Sequence, residues 1–90
     1  MPSVLLCRDK PGALEVRKTN RGAHLDYLAE TGVVSQAGPL LDADGEMCGS
    51  IIVLDVEYRG EAEQWAAADP YAKAGLFSEV EILHWNRVIG

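Results

Sequence analysis

Apolar residues along this chain fall into four short runs, separated by turn chemistry and by two stretches of helical periodicity. Ser3–Arg8 is apolar on both parities, with Leu5 and Cys7 on one and Val4 and Leu6 on the other. That is the pattern of a strand buried on both faces. Asp9-Lys10-Pro11-Gly12 is turn chemistry, with a proline placed to open a helix. The spacing predicts a helix over Ala13–Glu30, where Leu14, Leu25 and Leu28 share one side as a core-facing stripe requires. Thr19-Asn20 and Gly22 weaken its middle, so two shorter helices or a kink also fit. Thr31-Gly32 ends it, Gly being the preferred residue just past a helix.

Val33–Leu41 reads as a short strand whose Gly38-Pro39 pair suits an edge position or a bulge. Asp42–Glu46 reads as a hairpin loop, because Asp-Gly tolerates the positive φ of such turns. Met47–Glu57 is the strongest strand, Gly60–Ala68 a second helix, and Phe77–Val88 the last strand. The order β-α-β-β-α-β is the split, ferredoxin-like α+β arrangement. Right-handed crossovers put both helices on one face of a four-stranded antiparallel sheet. The strands, however, are apolar on both faces. One sheet face would be bare in a monomer, so the expectation is a homodimer with two sheets packed through that open face.

Residues 1–90 form a single domain, with no linker, repeat or low-complexity run. A chain this short buries only about 60–65% of its unfolded surface, which also favours self-association. The apolar start, Val4-Leu5-Leu6-Cys7, is too short for a signal peptide and lacks its basic flank and cleavage site. No run approaches the ~20 apolar residues of a membrane span. A cytoplasmic protein with no membrane partner is expected. The net charge of −6, without a basic block, argues against a nucleic-acid partner. Cys7 and Cys48 lack CxxC spacing and are expected to be buried free thiols in strands.

Asp69 is out of place for a simple helix end. Pro70 restricts it to extended or turn backbone, so the preceding helix stops there. A carboxylate at the negative end of a helix dipole costs roughly 0.3–1 kcal/mol, so Asp69 needs a partner. His24 is the candidate. It sits on the helical wheel near Leu28 and Arg17, at the margin of the inward stripe, with Arg21 close by. In a split-βαβ fold the two helices lie side by side, so His24 and Asp69 can meet. Such a pair fixes the imidazole tautomer and raises its basicity, as a general base requires. Two plainer readings stand beside it: the arginines snorkel to solvent while His24 makes one hydrogen bond, or the pair clamps the helices together.

Arg21-Gly-Ala-His24-Leu-Asp-Tyr-Leu28, Gly38-Pro39-Leu40-Leu41, Gly49-Ser50, Ala67-Ala-Asp69-Pro70-Tyr71 and Ala74-Gly75-Leu76-Phe77 resemble the YciI-like (YCII-related) family along essentially the whole chain. The resemblance implies a dimeric α+β barrel with a ferredoxin-like protomer and an active site built on His24 and Asp69. It further suggests Arg17, Arg21, Ser35 and Tyr71 as residues that complete a substrate pocket. Some relatives are linked to the breakdown of aromatic compounds. Many members have Arg-Pro-x-His where this chain has Arg21-Gly22-Ala23-His24, a change that can shift the helix start while leaving the histidine in place.

The other candidates are weaker. Asp42-x-Asp44-Gly45 lacks the third ligand and late Glu of a calcium loop, so a plain hairpin is expected. His84 reads as a core or interface histidine. No ligand spacing supports zinc, and no Gly-rich loop supports a nucleotide, so neither metal nor cofactor is expected. No nucleophilic Ser or Cys motif is visible. The expectation is a cofactor-independent acid–base enzyme of lyase, isomerase or dehydrohalogenase type, acting on a small anionic or aromatic molecule. The alternative is a non-catalytic dimeric module that binds a small ligand.

Overall fold

A computed structural model describes all 90 residues. The elements run β1 (Ser3–Asp9), α1 (Leu14–Thr31), β2 (Val34–Leu41), β3 (Met47–Leu54), α2 (Arg59–Ala68), α3 (Pro70–Lys73) and β4 (Phe77–His84). The strands form one antiparallel sheet in the order β2-β3-β1-β4. This is the ferredoxin-like α+β protomer expected from the strand and helix order.

Register decides which side chains meet the helices. Leu5 pairs with Ile52 and Ile82, and Cys7 with Ser50 and Val80, so these residues share the helix-covered face. Leu5, Cys7, Ile52 and Leu54 join Val56, Ala62 and Trp65 in one buried cluster. Val4, Leu6, Ile51, Val53 and Leu83 take the other parity and line the open face. Pro39 lies on β2, an edge strand, where its missing N–H disturbs no inner ladder. Gly49 is required beside the site, because a Cβ there would drive into the carbonyl oxygen of Cys7.

The helical regions depart from the sequence expectation in instructive ways. α1 is continuous through Asn20 and Gly22, with Asn20 Nδ2 donating to the Val16 carbonyl at 2.8 Å. Its buried residues are Arg17 and His24, whereas Leu25, expected in the core stripe, is 46% exposed. Asp69 closes α2 and at once opens the extra helix α3, which the sequence reading ran together with the loop. β4 stops at His84, four residues short of the expected Val88. Trp85 N–H still donates to the Pro2 carbonyl at 2.9 Å, beyond the strand. Cys48, expected to be buried, is exposed; only Cys7 is buried. The Asp42 carboxylate accepts from Asp44 and Glu46 N–H at 2.9 and 3.0 Å, which fixes the hairpin.

Candidate active site

Two contacts hold α1 against α2 and thereby align the site. Tyr27 donates its hydroxyl proton to the Trp65 carbonyl at 2.8 Å, and Trp65 Nε1 donates to Thr31 Oγ1 at 3.0 Å. One turn before Tyr27 on α1, His24 then faces the α2–α3 junction.

Asp69 is 1% exposed, with an extended backbone (φ −61°, ψ 129°). Its Oδ1 accepts from Tyr71 N–H at 3.0 Å, which caps α3, and lies 2.8 Å from His24 Nδ1. The carboxylate expected at the unfavourable end of α2 is thus also the cap of the next helix, where negative charge is favoured. An ionised carboxylate only accepts, so a neutral imidazole paired with it carries its proton on Nδ1 and its lone pair on Nε2. The imidazole stacks on the Tyr71 ring at 3.8 Å between centroids and 12° between planes. Phe77 meets the other ring edge-on at 6.0 Å, which fixes the Tyr71 plane in turn.

His24 and Tyr71 line a cavity of about 200 Å³ together with Arg17, Arg21, Leu28, Pro39 and Ser50. That is below the roughly 300–1,000 Å³ of sites for drug-sized ligands, and above the ~150 Å³ that admits a benzene ring. One substituted six-membered ring matches the space.

Arg17 is 2% exposed and does not snorkel. Its Nε and Nη2 donate to the two carboxylate oxygens of Asp9 at 2.7 and 2.8 Å, and Nη2 also donates to Ser50 Oγ at 2.9 Å. Its Cζ lies 4.8 Å from the Tyr71 ring centroid. Burial works against the charge, but the bound Asp9 carboxylate outweighs it and lifts the Arg17 pKa further. Burial pushes the Tyr71 phenol up, and the positive charges of Arg17 and Arg21 temper the rise. Burial also pushes Tyr27 up, with help from the Asp69 charge. Cys7, beneath the site, is raised to about 12 by burial first and by the Asp69 charge second. It is therefore a thiol, not a nucleophile, at neutral pH.

The structure thus brings His24, Asp69, Arg17, Arg21 and Tyr71 together, Arg21 being exposed at the mouth. Ser35 stands apart. It lies at the β2 bulge and outside the cavity lining, its hydroxyl 3.4 Å from the Val53 carbonyl and accepting from Arg87 Nη2 at 3.2 Å. The serine that does reach the cavity is Ser50, in the Gly49-Ser50 pair. Asp9 belongs to the Asp9–Gly12 turn chemistry of the sequence, and no sequence signal short of the Asp9–Arg17 register identifies it as the arginine's partner.

A ferredoxin-like protomer with a buried imidazole–carboxylate pair on a ring-sized cavity defines a small α+β protein of narrow type. The chain belongs to the YCII-related domain family, whose model matches residues 1–86. It is 32% identical to Protein YciI of Escherichia coli O6:H1 (strain CFT073), over 94% of this chain and 96% of that one. It is also similar to the 5-chloro-2-hydroxyhydroquinone dehydrochlorinase TftG of Burkholderia phenoliruptrix AC1100, solved in complex with 2,5-dihydroxybenzoquinone. There the identity is 34% and the TM-score 0.88, covering 96% of this chain and 94% of TftG. Rv0793 of Mycobacterium tuberculosis shares the fold alone, with a TM-score of 0.64 at 12% identity over 99% of this chain and all of that one (100%). No helix is long and apolar enough to cross a membrane.

Proposed function

We propose that the chain is a cofactor-independent acid–base enzyme that eliminates a leaving group from a small hydroxylated ring, with His24 Nε2 as the base. The observation that carries this reading is the buried His24–Asp69 pair, 2.8 Å apart, whose imidazole lines a ring-sized cavity. The likeness to a dehydrochlorinase supports the reaction class.

On the keto tautomer of a chlorinated hydroxyhydroquinone, the chlorine sits on an sp³ ring carbon. The O–H bond of a hydroxyl conjugated to that carbon breaks toward Nε2, and its electron pair makes a C=O. The neighbouring double bond shifts to the chlorinated carbon, and chloride leaves with the C–Cl pair. One proton and one chloride are lost, the product is a quinone, and no external oxidant is consumed. Asp69 stabilises the imidazolium as it forms, and Tyr71 holds the imidazole plane. Positioned proton transfer of this kind contributes about 10²–10⁴-fold.

The open sheet face, with Ile51, Leu83 and Trp85 exposed, supports a homodimer assembled through it.

The test is quinone formation from 5-chloro-2-hydroxyhydroquinone, followed by absorbance. His24→Asn and Asp69→Asn are expected to lower kcat at least a hundredfold while remaining folded. A folded His24→Asn protein with the wild-type rate would overturn the assignment.

A further inference from the structure

Arg17 and His24 stand seven residues apart on α1, which places them on the same side of the helix about 10 Å apart along its axis. Both are buried, both line the cavity, and both lie against the Tyr71 ring. Four hydrogen-bonding relationships account for their polar atoms on the protein side. Asp9 takes Arg17 Nε and Nη2, Ser50 takes Nη2 again, and Asp69 takes His24 Nδ1.

Arg17 Nη1 and His24 Nε2 have no protein partner within hydrogen-bond distance, the Tyr71 hydroxyl being the remaining polar group that Arg17 faces. Neither is sealed from solvent, since the partnerless side-chain atoms that are fully enclosed are Ser3 Oγ and Arg87 Nε. On residues this buried, the accessible side is the cavity. Two oriented groups therefore open into one ring-sized space: a donor that is always charged and a base with a free lone pair.

The Asp9–Arg17 pair is an unusual investment if only stability is at stake, because buried ion pairs are often no more stabilising than apolar residues of the same volume. It is also nearly neutral as a unit, so it exerts little long-range pull. What it provides is direction: a bidentate carboxylate fixes the guanidinium plane, and Ser50 locks its rotation. Arg21, exposed at the mouth and making no ion pair, supplies the uncompensated positive charge.

We infer that Asp9, Arg17 and Ser50 build an oxyanion subsite beside the His24 base, so that the site takes a ring bearing two oxygens, one already ionised and held by Arg17, the other deprotonated by His24. Asp9 and Ser50 are positioning residues in this scheme. The His24 half rests on the acid–base reading above; the Arg17 half does not.

Isothermal titration at neutral pH with 2,5-dihydroxybenzoquinone, whose hydroxyls are vinylogous acids, and with hydroquinone, the uncharged ring, tests it. The wild-type protein is expected to bind the dihydroxyquinone at least tenfold more tightly than hydroquinone. Removing both charges together (Asp9→Asn with Arg17→Gln) leaves neither buried alone, and is expected to weaken dihydroxyquinone binding about ten- to hundredfold, the worth of a charge-assisted hydrogen bond. Hydroquinone binding should change little, a selectivity that a structural role alone would not move. Ser50→Ala should weaken the dihydroxyquinone several-fold, and it carries the decision if the double variant does not fold. Wild-type protein that fails to prefer the dihydroxyquinone, or folded variants that bind it as tightly as wild type, would overturn the subsite. The Arg17-dependent preference without His24-dependent turnover of 5-chloro-2-hydroxyhydroquinone would leave the subsite standing and remove the acid–base reading.

Discussion

The two faces of the sheet invert the usual distribution of polarity. Beneath the helices, where burial is deepest, lie Ser3, Arg17, His24, Ser50 and Asp69. On the open face and the tail that follows β4, Ile51, Leu83, Trp85, Val88 and Ile89 are exposed, the last at 90%. Burial of polar groups costs free energy unless each is paired, and here Arg17, His24, Ser50 and Asp69 are paired with one another or with Asp9, while Ser3 Oγ is enclosed without a partner. Apolarity without cover, in contrast, marks a surface that another molecule covers. The first face carries the proposed chemistry, and the second supports the proposed homodimer.

The strongest way to break this comparison is to unpair the covered face. Arg17→Ala leaves the Asp9 carboxylate buried without a counter-charge, and is expected to cost about 3–5 kcal/mol in urea unfolding. A loss below about 1 kcal/mol would show that Asp9 is hydrated and that the face is wetter than described. Gly49→Ala sharpens the same point in the backbone. The new Cβ meets the Cys7 carbonyl, so the central strands must separate, with an expected cost of about 1–3 kcal/mol. Wild-type stability would mean that β1 and β3 give way freely at the site.

The open face is probed through assembly. Ile51→Glu with Leu83→Lys should leave the fold intact and reduce the sedimenting mass to that of the monomer. A mass unchanged by both charges would contradict assembly through this face.

The smallest expected effect is a pH dependence from the covered face. Cys7 titrates at about 12 in the folded chain against an ordinary 9.0, so the unfolded chain loses its proton first as pH rises. Its contribution is therefore fully present below pH 9 and is lost between 9 and 12. Tyr27 and Tyr71, also raised, act in the same direction above their ordinary 10.0. Cys7→Ala should flatten the decline between pH 9 and 10; an unaltered slope would mean that the thiol is hydrated.

How much of this was legible in the sequence differs between the same two faces. Strand positions and order followed from apolar runs and from Gly and Pro at turns, because those signals are local. The open face followed from strands apolar on both parities. The meeting of His24 with Asp69 was legible because Pro70 isolates a carboxylate that needs a partner. The Asp9–Arg17–Ser50 arm was not, since it joins a turn, a helix and a strand that only the folded register brings together. Leu25 misled for a related reason: the helical wheel ranks residues by apolarity, whereas α1 turns its two polar site residues inward. The end of β4 was overrun because Trp85–Ile89 keeps strand-like composition after its ladder has stopped.

The central claim is that Asp69 holds the His24 proton on Nδ1 and so turns a basic Nε2 toward the cavity. Nitrogen-15 NMR of the histidine ring at neutral pH reads this directly. The account predicts a protonated Nδ1 and an unprotonated Nε2 whose resonance moves when 2,5-dihydroxybenzoquinone is added, with the tautomer preference lost in Asp69→Asn. A proton found on Nε2 in the wild-type protein, or an Nε2 signal indifferent to the ligand, would contradict it.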